Sequence, residues 1–179
     1  MKKFRFTRIK SPAPDGIYQK SRLYSIHLAP GVTNYFSSYK NARSFAAEYT
    51  RAVNQTLSTF NKALAELYQA HRSAYFYFFS ELPTPEQSHL EQRITDHIRG
   101  AELWIQRAVF NTSGTYTGGV VCGHLSTIYE HLEKGIETLV GFFADRGEYS
   151  RAEDLRLLLK STRAEFEQIQ DHYYKDIRN

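Results

Sequence analysis

Cysteine is almost missing from this chain: of 179 residues, Cys122 alone carries a thiol. That excludes an intramolecular disulfide and a thiolate metal cluster, and it fits a reducing compartment. Long apolar runs are missing as well. Nothing approaches the ~20 consecutive apolar residues a helix needs to cross a bilayer, so the expectation is a soluble protein with no membrane partner. Residues 1–10 have the charges of a signal-peptide n-region, yet Ser11, Pro12, Pro14 and Asp15 stand where an apolar h-region would begin. No export signal is read, and the expected location is cytoplasmic. Internal repeats and low-complexity tracts are also lacking, and a chain of this length suits one domain, 1–179, with a full core.

Acidic residues are scarce at one end. The first 51 positions hold ten Lys and Arg against two acids, and the rest hold 13 against 17. A charge of +8 is therefore gathered on the leader, and −4 is spread over the body. Such segregation points to an acidic partner for the leader. Aromatic residues are abundant, with 13 Tyr and 12 Phe beside one Trp, and many tyrosine hydroxyls must reach water or a partner at the edge of the core.

In residues 1–40 the pattern is short and strand-like. Phe4 and Phe6 alternate with Lys3 and Arg5, and Tyr24, Ile26 and Leu28 alternate with Ser25 and His27. Pro12, Pro14, Asp15 and Gly16 supply one turn, and Pro30 and Gly31 supply another before a third short strand at 34–38. The result is a small antiparallel β meander, too slight to stand alone and needing a larger body under one face.

That body, residues 41–179, reads as a four-helix antiparallel bundle with a long first helix, so the fold class is mainly α. Asn41 is the expected N-cap. After it Phe45, Tyr49, Val53, Thr56 or Leu57, Phe60, Leu64, Leu67 and His71 recur at helical spacing. Unbroken to Phe79, this helix would run about 60 Å, longer than its partners can cover. Thr84, Pro85 and Gln87 form a strong helix start with a capping box, followed by a stripe of Leu90, Ile94, His97 or Ile98, Ala101, Trp104 or Ile105 and Ala108. Residues 111–119 read as a loop. A third helix carries Val121, Leu125, Ile128, Leu132, Ile136, Leu139 and Phe143, with Gly147 as its left-handed stop. Ser150 and Glu153 read as a second capping box, opening a fourth stripe of Leu155, Leu158 or Leu159, Thr162, Phe166, Ile169 and Tyr173.

No catalytic signature emerges. Cys122 and His124 suggest a thiol and its base, but residues two apart on a helix point in different directions, so Cys122 reads as a small buried hydrophobe. The run from Gly114 to Gly119 lacks the Lys-Ser/Thr ending of a phosphate loop and follows no strand. Of the seven histidines, only His89 sits in a Glu-x-x-His spacing, with Glu86, and that lies in a first helical turn. His97, His124 and His131 are the one geometrically feasible three-His set. His-ligated metal chemistry is thus carried only as a rival function, and no metal or cofactor is expected.

The reading is a non-enzymatic interaction or assembly protein. Lys3, Arg5, Arg8, Lys20, Arg22, Tyr24, Lys40 and Arg43 are its candidate contacts with an acidic partner, and nucleic acid is the rival partner, because cations and rings together hold a phosphodiester strand. The same residues also suit a sheet edge charged against strand pairing, with its rings packed on the first helix. Tyr75, Phe76, Phe78 and Phe79 belong to a segment aromatic on every side and are candidates for a homo-oligomer or partner interface. Glu130, Glu133 and Glu137 read as a solvated helix face.

Overall fold

Strand alternation near the N-terminus and 3.6-residue periodicity beyond it produce the elements seen in the computed structural model, which describes residues 17–20, 23–29, 32–79, 84–113 and 118–174. Strands β1 (Ile17–Lys20), β2 (Leu23–Ala29) and β3 (Val32–Phe36) form one antiparallel sheet in that order. The expected strand around Phe4 and Phe6 lies outside the described residues. β1 was not foreseen, because its four residues sit between the Pro12–Gly16 turn signals and a two-residue connection. β3 begins two residues earlier than the pattern predicts, since Ser38 is taken by the helix that follows.

Ile26, Leu28 and Val32 are fully buried on the inner face. Between His27 and Ala29 the pairing with β3 slips by one position, a bulge beside the β2–β3 connection. The inner face also directs Phe36 onto Phe45, ring centroids 5.2 Å apart, and so seats the sheet on helix α1 (Tyr39–Phe79).

Helix α1 is 41 residues long and continuous. Its cap is Ser38 rather than Asn41: the Ser38 Oγ accepts the Asn41 N–H at 3.2 Å, and the Ser38 carbonyl accepts from Ala42. The chain turns into the helix directly after β3, which puts Asn41 inside the first turn. At its N-terminal end the length is covered within the chain. Ala42 and Ala46 are buried beneath the sheet, and Phe45 and Tyr49 pack edge-on against Tyr173 at 5.7 and 5.1 Å.

Helix α2 (Pro85–Ser113) starts as the sequence predicts, with reciprocal bonds between Thr84 and Gln87 at 3.0 and 3.2 Å. Helix α3 (Gly118–Asp145) begins three residues before Val121, so helix occupies 111–113 and 118–119 of the expected 111–119 loop, whose remaining residues lie outside the described ones. Polar and glycine residues at 111–113 and 118–119 occupy end turns whose backbone bonds are incomplete anyway, where propensity decides little. α3 stops at Gly147 (φ 74°) in a Schellman turn: the Glu148 N–H reaches the Phe143 carbonyl at 2.9 Å and the Gly147 N–H reaches that of Ala144 at 3.0 Å. Helix α4 (Tyr149–Tyr173) follows at once. Its N-cap is Glu148, with no side-chain cap bond, so the Ser150–Glu153 box does not form. Ser150 already lies in the first turn, and Glu153 bonds Arg156 instead at 3.2 Å.

α3 is the central element, packed against α1, α2, α4 and β2. Leu125, Ile128, Leu132, Ile136 and Leu139 on it are completely buried, and every other expected stripe is buried or half-buried as well. Polar links close α1 against α4 and the residue that follows it, Gln55 donating to Glu165 at 3.5 Å among them. The Thr56 hydroxyl donates to Glu165 at 3.4 Å, and the buried hydroxyls of Tyr49 and Tyr174 bond each other. Burial pushes both phenols above their ordinary range, so the pair is uncharged. Among the described residues no helix is long and apolar enough to cross a membrane.

Candidate interaction surface

With the sheet's inner face spent on α1 and α3, its outer face is what remains. Strand register sets Tyr18, Ser25 and Tyr35 abreast across the three strands, and Lys20 beside Leu23. Period-two alternation puts Leu23, Ser25 and Tyr35 opposite the buried Ile26 and Leu28. Tyr35 is 68% exposed and Leu23 47%. Tyr35 is one of the rings that the sequence interleaves with the leader's cations, whereas Leu23 was not singled out.

The candidate residues distribute unevenly about this face. Tyr24 is half-buried on the inner side, its ring 5.9 Å from that of Tyr39. Lys40 and Arg43 are exposed on the first two turns of α1, and neither forms an ion pair among the described residues. The first turn of α1 contains no acid. Cations here add to the positive end of the helix dipole instead of opposing it, so the foot of the sheet gathers positive charge that no ion pair among the described residues offsets. By contrast, Lys134, Arg151, Arg156 and Arg163 on the body are matched by Glu130, Glu148, Glu153 and Glu133. Lys20 holds its register position in β1, while Lys3, Arg5, Arg8 and Arg22 lie outside the described residues.

Compared with known proteins, the chain matches no family model, no curated protein and no solved structure. Its surface must be read from its own chemistry.

Tyr75, one of the aromatic interface candidates, is 47% exposed beside the buried Ala74. Phe76, Phe78 and Phe79 continue the same helix, and their side chains are outside the description.

The histidines do not converge as a three-ligand set. His97 and His131 meet, Nδ1 to Nδ1 at 3.3 Å, but His124 packs on Trp104 with centroids 5.0 Å apart. Burial first and the Arg107 cation second hold His124 below the ordinary histidine range. His71 faces Glu91 at 3.5 Å across the α1–α2 seam. Among the described residues no group of three potential metal ligands occurs.

Cys122 is half-buried, and burial pushes its thiol up to about 11, away from the thiolate that a nucleophile needs. Of the predicted acidic face, Glu133 is not simply solvated. It accepts from Tyr129 at 2.6 Å and pairs with Arg163 at 2.5 Å, tying α3 to α4. Burial raises its carboxyl, but those two donors outweigh burial and hold it below the usual range.

Proposed function

We propose that this chain is a non-enzymatic interaction or assembly protein whose N-terminal sheet contacts an acidic partner. The observation that carries this reading is the pairing of the outward Tyr35 ring with Lys40 and Arg43 at the positive end of α1. A buried inner face and a rigid four-helix body leave the outer face as the part suited to contact. Cations at its foot, without an ion pair among the described residues, favour a partner rich in carboxylates or phosphates.

Single-stranded nucleic acid is the partner favoured by one further feature, the 68% exposure of the Tyr35 ring. A ring so exposed suits stacking by a base while cations hold the backbone. The exposed Tyr75 supports a self-contact at the far end of α1.

Size-exclusion chromatography with light scattering and a 260/280 nm absorbance ratio tests these readings together. An elevated ratio or a mass above one chain is expected. Fluorescence anisotropy with an oligo-dT probe then separates the partners: capture of about four phosphates gives a log K against log salt slope near −3 on single strands. The triple variant Tyr35→Ser, Lys40→Ser, Arg43→Ser should weaken acidic-partner binding about tenfold or more with unchanged helicity, at ~1 kcal/mol or above for a stacked ring. A clean monomer with a protein-like ratio and no affinity for the probe or for heparin at low salt defeats the proposal.

A further inference from the structure

His97 on α2 and His131 on α3 bring two imidazoles together inside the bundle, with ring centroids 5.6 Å apart and Nδ1 atoms at 3.3 Å. The facing helix surface leaves room for this contact. A Cβ at Gly100, one turn after His97, would lie 2.4–2.7 Å from three atoms of the His131 ring. Glycine is what lets the ring enter the seam.

A bond between two Nδ1 atoms requires one ring protonated there and the other bare. One added proton can enter at the donor's Nε2 and leave the bond intact. A second must occupy the accepting Nδ1, and two N–H groups then face each other within one positively charged pair. We propose that His97 and His131 form an acid-sensitive clasp between α2 and α3, closed while the pair carries at most one extra proton and forced open when it carries two.

The surroundings oppose charging. α2 presents Arg93 and Asp96, α3 presents Lys134 with its partner Glu130, and α1 presents the apolar Leu67 at the level of Gly135 and His97. Burial is the main cause holding His97 below its ordinary 6.5; His131, Lys134 and Arg93 reinforce it, and Asp96 opposes, as does the Glu130 carboxylate that His97 and His131 attract. For a base whose folded value is depressed, the unfolded chain binds the proton more readily. Stability is therefore complete above the ordinary value and is lost as pH falls below it. With no third ligand joining the two rings among the described residues, protons rather than a metal ion are the ligand this pair suits.

Histidine-selective 1H–15N correlation spectra of the full chain, recorded with EDTA from about pH 8 to about pH 5, test the clasp without any variant. His97 should titrate below 6.5, and backbone amides of α2 and α3 near the pair should shift or broaden with it. In His131→Asn the His97 midpoint should move up toward the ordinary value, and the fall in melting temperature between neutral and acidic pH should shrink by about 3 °C or more. If the variant does not fold, the wild-type titration decides alone. An ordinary His97 midpoint in the wild type overturns the proposal, as do parallel acid losses in wild type and variant. A Zn2+-dependent rise in melting temperature that EDTA reverses also overturns it, because the pair would then be a metal site.

Discussion

Replacing Gly100 by alanine measures how tightly α2 and α3 are matched. In an open helix interior this exchange stabilises by about 1 kcal/mol, since glycine is roughly that much poorer than alanine. At Gly100 the added methyl would lie 2.4 Å from Cε1, 2.6 Å from Nδ1 and 2.7 Å from Nε2 of His131. A flexible chain end could move aside; a rigid ring bonded to His97 cannot. Either the ring swings away and loses its partner or α2 retreats, and overpacking of this kind costs about 1–3 kcal/mol. After the propensity gain, Gly100→Ala should range from about neutral to about 2 kcal/mol destabilised. Gly141 on α3 is the control: it is exposed, and nothing stands within 4 Å of its Cβ position. Gly141→Ala should be stabilised by about 1 kcal/mol. Urea denaturation at equal slopes, with melting as a second readout at about 2–4 °C per kcal/mol for a chain of this size, should separate the two variants by about 1–3 kcal/mol. Equal stabilisation of both would refute the packing described for the α2–α3 seam.

Thr84→Ala removes one half of the reciprocal cap at the start of α2; a loss of about 1 kcal/mol is expected in the same denaturation assay. Tyr49→Phe takes from the buried Tyr174 hydroxyl its recorded partner and should cost about 1–3 kcal/mol, whereas Tyr49→Phe with Tyr174→Phe should cost less than the sum of the single changes. Glu133→Gln should flatten the acid limb of the stability profile. A carboxylate held below its ordinary 4.5 contributes stability above that pH and loses it as pH falls through its folded value. With Arg163 half exposed, the effect at neutral pH should stay within about 1 kcal/mol.

What the sequence disclosed about this fold was whatever a single element settles alone. Apolar spacing located the buried face of each helix, and the Thr84–Gln87 box and Gly147 marked two ends, because those signals act over three or four residues. The start of α1 escaped because Ser38 and Asn41 are both good caps and the choice between them depends on where β3 releases the chain. The failed Ser150–Glu153 box has the same origin, since the Schellman turn at Gly147 fixes the entry of α4 before its side chains can. Relations between helices were not legible. His97 and His131 are 34 residues apart, and their meeting depends on the rotation and offset of α2 against α3. Glycine three positions after His97 was the nearest hint. On the candidate surface, cationic composition drew attention to the leader but not to its geometry: Tyr24 faces inward, and the outward ring is Tyr35.

The seam between α1 and α4 has a bearing on how the chain is born. Its hydroxyl bond joins positions 125 residues apart, and Phe60 against Phe166, 6.1 Å between centroids, belongs to the same seam. During synthesis α2 and α3 can dock on α1 as they emerge, since each follows its neighbour along the chain. The groove meant for α4 stays open until that helix leaves the ribosome, and Tyr49 and Phe60 meanwhile lack the partners they meet on Tyr174 and Phe166. A nascent chain stalled before Tyr149 would therefore display a greasy furrow, making α4 supplied in trans a natural occupant.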